Sequence, residues 1–129
     1  MTRLAQLVAR MEGFPLPGKI PTTHHNPADL RHSPHSTHAA GAPDAIGMID
    51  TDQHGWEDAE RQFALVAARG WTLREFVQGR LDAAGQLEGG FAPLGDGAND
   101  PPRYLAFLAA GLGVAPDTPM SEVLKIPAV

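Results

Sequence analysis

A chain of 129 residues with 43% hydrophobic content is long enough to bury one core and falls in the size range of a single domain, residues 1–129. Its 15 acidic and 10 basic side chains give a formal charge of -5, which excludes the electrostatic footprint of a nucleic-acid binder or of a protein that grips anionic lipid. The absence of cysteine excludes disulfides, thiolate catalysis and Cys-ligated zinc, and leaves the redox compartment open.

Leu4, Leu7, Val8 and Met11 recur at helical spacing, and Gly13, Pro15 and Pro17 supply the stop, so a first helix is predicted over residues 2–12 with Glu12 in its last turn. The same stretch has charges on both sides of a short apolar patch and no small-residue cleavage site, and does not read as a signal peptide. No segment approaches the roughly 20 apolar residues that span a bilayer, so no membrane insertion is expected.

Residues 14–45 are rich in Pro, Gly, His, Ser and Thr, which predicts an ordered but irregular excursion of a length that usually serves function. Short strands are expected around residues 29–32 and 46–50, making a β element of two or three strands at most. From Asp52 the pattern turns helical: Trp56, Ala59, Phe63, Val66 and Ala67 form one stripe, Glu57, Asp58, Glu60 and Arg61 are expected to face water, and Gly70 ends the helix. Gly55 is expected to serve a close backbone approach.

Thr72-Leu73-Arg74-Glu75 has the form of a capping box and opens a helix to about Leu81. Residues 83–99 are Gly-rich and weakly patterned. Asp100 as cap and Pro101 at the first helical position then open a helix carrying Tyr104, Leu105, Leu108 and Leu112, stopped by Gly113. Thr118-Pro119 starts a last short helix from Met120 to about Lys125. The expected fold class is α+β, mostly helical, with a His/Pro-rich β lobe at about residues 14–50 after the first helix.

A carboxylate in the last turn of a helix meets the negative end of the helix dipole, and Glu12 also lies one turn after apolar Val8. Both effects favour the protonated form, the form in which a glycosidase acid delivers a proton to the leaving glycosidic oxygen. The alternative for any such residue is a solvated helix-end charge.

Ala9-Arg10-Met11-Glu12-Gly13-Phe14 followed by Asn26-Pro27-Ala28-Asp29-Leu30-Arg31 resembles the Glu-Gly-Phe and Asn-Asn-Pro-Gly-Asn/Asp-Leu-Arg pattern of lytic-transglycosylase-like peptidoglycan hydrolases of phages and proteobacterial prophages. Ile46-Gly47-Met48-Ile49-Asp50-Thr51, Gly55-Trp56-Glu57-Asp58-Ala59-Glu60-Arg61-Gln62, Arg69-Gly70-Trp71-Thr72-Leu73, Tyr104-Leu105-Ala106-Phe107, Leu112-Gly113-Val114 and Pro116-Asp117-Thr118-Pro119 continue the likeness in order, over nearly the whole chain. His24 and His25 depart from the pattern, standing where it has Asn, and the connection over residues 82–100 is longer and richer in Gly.

The resemblance implies a lysozyme-like fold that cuts the β-1,4 bond between N-acetylmuramic acid and N-acetylglucosamine, with Glu12 as general acid and base and no cofactor. It also implies Tyr104 as the aromatic whose hydroxyl lies close to the acid, the alternative for Tyr104 being core packing. Asn26 and Arg31 carry over as groove or lobe-organising residues on the substrate side. No Asp or Cys follows Glu12 before Asp29, so a mechanism with one protein carboxylate, assisted by the substrate's acetamido group, is the simpler expectation. Asp50 and Asp52 are the candidates for a second carboxylate at the groove, and turn or N-cap residues otherwise. Trp56 is expected in the core rather than as a sugar platform. The expected partner is the peptidoglycan glycan strand, and the expected place of action the periplasm or cell wall, with delivery by a phage one route.

His24, His25, His32, His35 and His38 fall within fifteen residues, and imidazole is the commonest metal ligand. Their spacing matches no helical His-Glu-x-x-His motif, so polar loop contacts are the favoured reading and a metal site the weaker one. Two rivals to glycan cleavage follow: a metal-dependent cell-wall amidase or peptidase built on these histidines, and a non-catalytic glycan-binding or phage structural module.

Overall fold

The computed structural model describes residues 1–43, 45–92 and 100–129. The fold is α+β, with six helices and a two-stranded antiparallel sheet among the described residues. Residues 93–99 of the Gly-rich connection and Asp44 of the excursion lie outside them. No helix of the described residues is long and apolar enough to cross a membrane. The chain divides into two compact units, Met1–Phe63 with Pro127–Val129 and Ala64–Ile126.

In the first unit, α1 (Arg3–Glu12) starts where Thr2 turns its hydroxyl to accept the Ala5 N–H at 3.1 Å. The Glu60 carboxylate accepts the Thr2 N–H at 2.6 Å and the Thr2 hydroxyl at 3.0 Å, so the cap is itself held. Leu4, Ala5, Leu7, Val8 and Ala9 are buried along one face. The helix stops at Gly13, whose φ of 96° is open to glycine at no steric cost. A one-turn helix, α2 (Ile20–Thr23), follows, and nothing in the spacing of its residues predicts it.

Among the described residues, the excursion after α2 forms no strand. Residues 46–50 reach three separate segments by one or two backbone bonds each: the Gly47 N–H donates to Leu30 O, the Ile49 N–H to His24 O, and Thr37 and Met48 exchange two bonds in an isolated bridge. Asp29 has φ of 56°, and this left-handed residue breaks the extended run that a strand at residues 29–32 needs. The expected β lobe after the first helix is therefore an irregular, hydrogen-bonded loop, and the sheet lies elsewhere.

Helix α3 (Asp52–Ala68) buries Gly55, Asp58, Ala59, Phe63 and Val66. That stripe differs from the expected one: Ala67, expected in it, is only half-buried. Asp58, expected in water, is 2% exposed, and Trp56, expected in the core, is only half-buried at the edge of the stripe. A Cβ on Gly55 would meet the His25 carbonyl oxygen and come within 2.7 Å of Pro27 Cδ, so the helix passes the 25–27 turn at backbone distance, as the glycine suggested.

In the second unit, α4 (Leu73–Gln78) has the full capping box, with the Glu75 N–H donating to the Thr72 hydroxyl and the Thr72 N–H to the Glu75 carboxylate. It ends three residues before the expected Leu81, because Gly79 leaves helical space and β1 (Arg80–Leu81) pairs with β2 (Leu87–Glu88). α5 (Pro101–Leu112) is capped by Asp100 and stopped by left-handed Gly113, and α6 (Met120–Val123) follows Pro119. α4 packs against both. Trp71 is 3% exposed, with the guanidinium groups of Arg69 and Arg80 over its ring at 5.5 and 5.8 Å.

Candidate functional site

Glu12 is the last residue of α1 and is half-buried. Its helical neighbours one turn back, Val8 and Ala9, are 0% and 3% exposed. Beside it, Ala9, Arg10, Phe14, Pro15 and Leu16 join Gln6, Met1 and Trp56 in lining a cavity of about 470 Å³. Phe14 meets Trp56 edge to face, ring centroids 5.3 Å apart. Glu12 is not itself in that lining; the cavity opens on the Gln6–Ala9–Arg10 side of the helix.

Asn26 is fully buried. Its amide donates to the carbonyls of Leu30 at 2.7 Å and Gly47 at 2.9 Å, and its side-chain oxygen accepts the Leu30 N–H at 3.0 Å. The side chain thus replaces the ladder of a sheet in holding the excursion together. Arg31 is exposed, and its carbonyl accepts a hydrogen bond from His38 Nε2 at 2.5 Å. Tyr104 belongs to the second unit, 6% exposed in α5 with its ring at the edge of Phe91.

Both candidate second carboxylates are exposed and engaged by histidines. Asp50 Oδ1 is 2.6 Å from His54 Nδ1, and Asp52 Oδ1 is 2.7 Å from His25 Nδ1. The hydrogen bond to His54 holds the Asp50 carboxyl below the usual range, and the same bond raises the His54 imidazole. Asp52 is the first residue of α3, and the hydroxyl of Thr51 accepts the His54 N–H at that helix end.

Asp29 is the carboxyl that burial pushes up, against the opposing charges of His24 and Arg31. Its Oδ1, the Thr22 hydroxyl and His24 Nδ1 are buried without a hydrogen-bond partner among the described residues. These three atoms lie within one eight-residue stretch, residues 22–29.

Of the five clustered histidines, His32 and His38 face each other with ring centroids 4.9 Å apart, while His35 turns to α3. There Asp58 accepts from Ser33 Oγ at 2.5 Å, from the His35 N–H at 2.9 Å and from His35 Nδ1 at 2.6 Å. Burial pushes the Asp58 carboxyl up, but these hydrogen bonds outweigh it and hold the group below its ordinary value. The His35 ring stacks on His54 at 3.9 Å and 6°. Ligand atoms of His35, His54 and Glu57 lie within 4.8 Å of one another. Histidine spacing within residues 24–38 did not find this group because two of its members come from α3; the signal available was His54 and Glu57 at i and i+3 on one helix.

No protein-family model, curated protein or solved structure matches the chain.

Proposed function

We propose that the protein cleaves the glycan strands of peptidoglycan, at the β-1,4 bond between N-acetylmuramic acid and N-acetylglucosamine, with Glu12 as general acid and base on a lysozyme-like scaffold. The observation that carries this reading is the place of Glu12: a half-buried carboxyl at the C-terminal end of α1, next to buried Val8 and Ala9 and between residues that line an aromatic-walled cavity. The helix's negative end and apolar neighbours are two influences that favour the neutral, protonated form of a carboxylic acid, the form that gives its proton to a leaving oxygen. The ordered series of motifs from residue 9 to residue 119 supports the same reading.

In the reaction, the Glu12 proton passes to the glycosidic oxygen as the bond from C1 breaks, and the carbonyl oxygen of the substrate's acetamido group closes on C1. A hydroxyl then displaces it and gives its proton back to Glu12. When that hydroxyl is the sugar's own, the product is an anhydro sugar; when it is water, the product is a reducing end. Asn26 and Arg31 are assigned to the substrate side, Asn26 by shaping the excursion. Asp50 and Asp52 serve as groove carboxylates paired to histidines. The protein would act at the cell wall, reached by phage or other delivery.

The test is the loss of turbidity of outer-membrane-permeabilised cells with the wild type beside Glu12→Gln, with mass spectrometry of the released fragments. Removal of a general acid lowers the rate by about 10²–10⁴-fold. Equal rates overturn the assignment. Loss of activity on chelation would point to the metal-dependent amidase or peptidase, and wall binding without cleavage in any form to the non-catalytic module.

A further inference from the structure

His35 and His54 each have Nδ1 at 2.6 Å from a carboxylate oxygen, of Asp58 and Asp50 respectively. A neutral imidazole that donates through Nδ1 presents its lone pair at Nε2. A carboxylate on the far nitrogen is the arrangement that orients a metal-binding histidine and raises its basicity. Here it occurs twice within one cluster. Glu57, three residues after His54 on α3, brings a carboxylate oxygen to the same place, all three ligand atoms lying within 4.8 Å of one another. Donors around one tetrahedral zinc ion, at bond lengths of about 2.0–2.2 Å, sit roughly 3.3–3.6 Å apart, so the three groups draw inward to share one ion.

We propose that His35, His54 and Glu57 bind a divalent transition-metal ion of the zinc class, with Asp58 and Asp50 holding the two imidazoles through Nδ1. Two nitrogen donors and one carboxylate suit zinc, nickel or cobalt; magnesium and calcium take oxygen ligands. The stack of the two rings, at 3.9 Å and 6°, sets a condition. In-plane lone pairs on parallel rings do not converge on one ion, so binding turns one ring out of the stack. His54 is the ring that turns. Its partner Asp50 is 66% exposed at the side chain and free to follow, whereas His35 is gripped by Asp58, 1% exposed at the side chain. Three protein donors leave a coordination position for water. The ion ties the excursion to α3; the site shares Asp50 with the proposed groove and does not involve Glu12.

The experiment is calorimetric titration of the tag-free full chain with zinc chloride near neutral pH, repeated by thermal unfolding and by the visible spectrum of the cobalt-loaded protein. One zinc per chain is expected, with a rise in Tm. His54→Ala and Glu57→Gln are each expected to weaken binding at least tenfold, and Asp50→Asn on the order of 10-fold. His32→Ala, outside the cluster, binds like the wild type. Circular dichroism checks each fold, and should His54→Ala unfold, Glu57→Gln at an exposed position carries the test. Absence of heat and Tm shift in the wild type overturns the proposal. So does zinc binding that His54→Ala and Glu57→Gln leave unchanged, the result of adventitious binding by the remaining histidines. Retained binding in Glu12→Gln separates this site from the glycosidase assignment.

Discussion

Asp58 holds His35 at two points at once: Oδ1 lies 2.6 Å from the imidazole Nδ1, and Oδ2 takes the His35 backbone N–H at 2.9 Å. One buried residue of α3 thereby fixes both the ring and the main chain of one residue of the excursion.

Asp58→Asn is expected to destabilise the first unit by roughly 2–3 kcal/mol, because hydrogen bonds to a charged acceptor are lost in a buried place. The pH dependence has a definite sign. The Asp58 carboxyl is lower in the folded protein than in the unfolded chain, so its contribution is present above the unfolded carboxylate value of about 3.9 and disappears as pH falls through the folded one. Urea unfolding curves over the acid range check this: the wild type loses stability as pH falls, and Asp58→Asn loses less.

Asp29 has the opposite sign. Burial raises its folded value, so its favourable contribution belongs to low pH and is lost as pH rises through that raised value. At neutral pH the ionised, partly desolvated carboxylate works against folding. Asp29→Asn keeps a residue type that tolerates the φ of 56° and removes the charge. Its Tm is expected to exceed that of the wild type at neutral pH, with the gap closing as pH is lowered in differential scanning calorimetry.

Gly55→Ala places a methyl group against the His25 carbonyl and 2.7 Å from Pro27 Cδ. The obstacle includes backbone, which does not step aside as a side chain does, so a loss of about 3 kcal/mol is expected. Gly70 has φ of 76° but open space around it, and Gly70→Ala should cost only the conformational strain of about 1 kcal/mol. Chemical denaturation of the two variants side by side distinguishes steric from conformational cost.

Asn26→Ala strips two carbonyls and one N–H of a buried partner, and about 3 kcal/mol of stability goes with them. Hydrogen exchange should accelerate first at Leu30 and neighbouring amides of the excursion and leave α5 protected. Uniform exchange across the chain would show that the excursion is not a separate cooperative part.

Apart from the one-turn α2, the helices were legible because their signals are local. The α1 stripe, the Thr72 to Glu75 capping box, Pro101 after Asp100, and Gly113 each act within one or two turns, and each boundary lies within a few residues of its expected place. The excursion was not legible, since its order comes from Asn26 and from single long-range bonds that leave no periodicity in the sequence. Alternation of apolar residues at 46–50 reports burial of Ile49 and not pairing in a sheet. Asp58 was misplaced for a related reason: a carboxylate reads as solvent-facing until the Ser33 and His35 donors that neutralise its desolvation are known. The hairpin of β1 and β2 rests on Gly85 and Asp82 in its turn, in a stretch whose composition alone looks unstructured.

Thr2 bridges to Pro127, and the Ala128 N–H reaches the carbonyl of Met1. The first unit is therefore discontinuous: its opening helix is made early by the ribosome, while the segment that pairs beside it emerges only after the whole second unit has been synthesised. Until then the start of α1 lacks the Pro127–Val129 strip and relies on Thr2 and Glu60 to hold its first turn. Contacts of such long sequence separation form late and slow the final step of folding. During translation, this makes the α1 entrance the last part of the first unit to close.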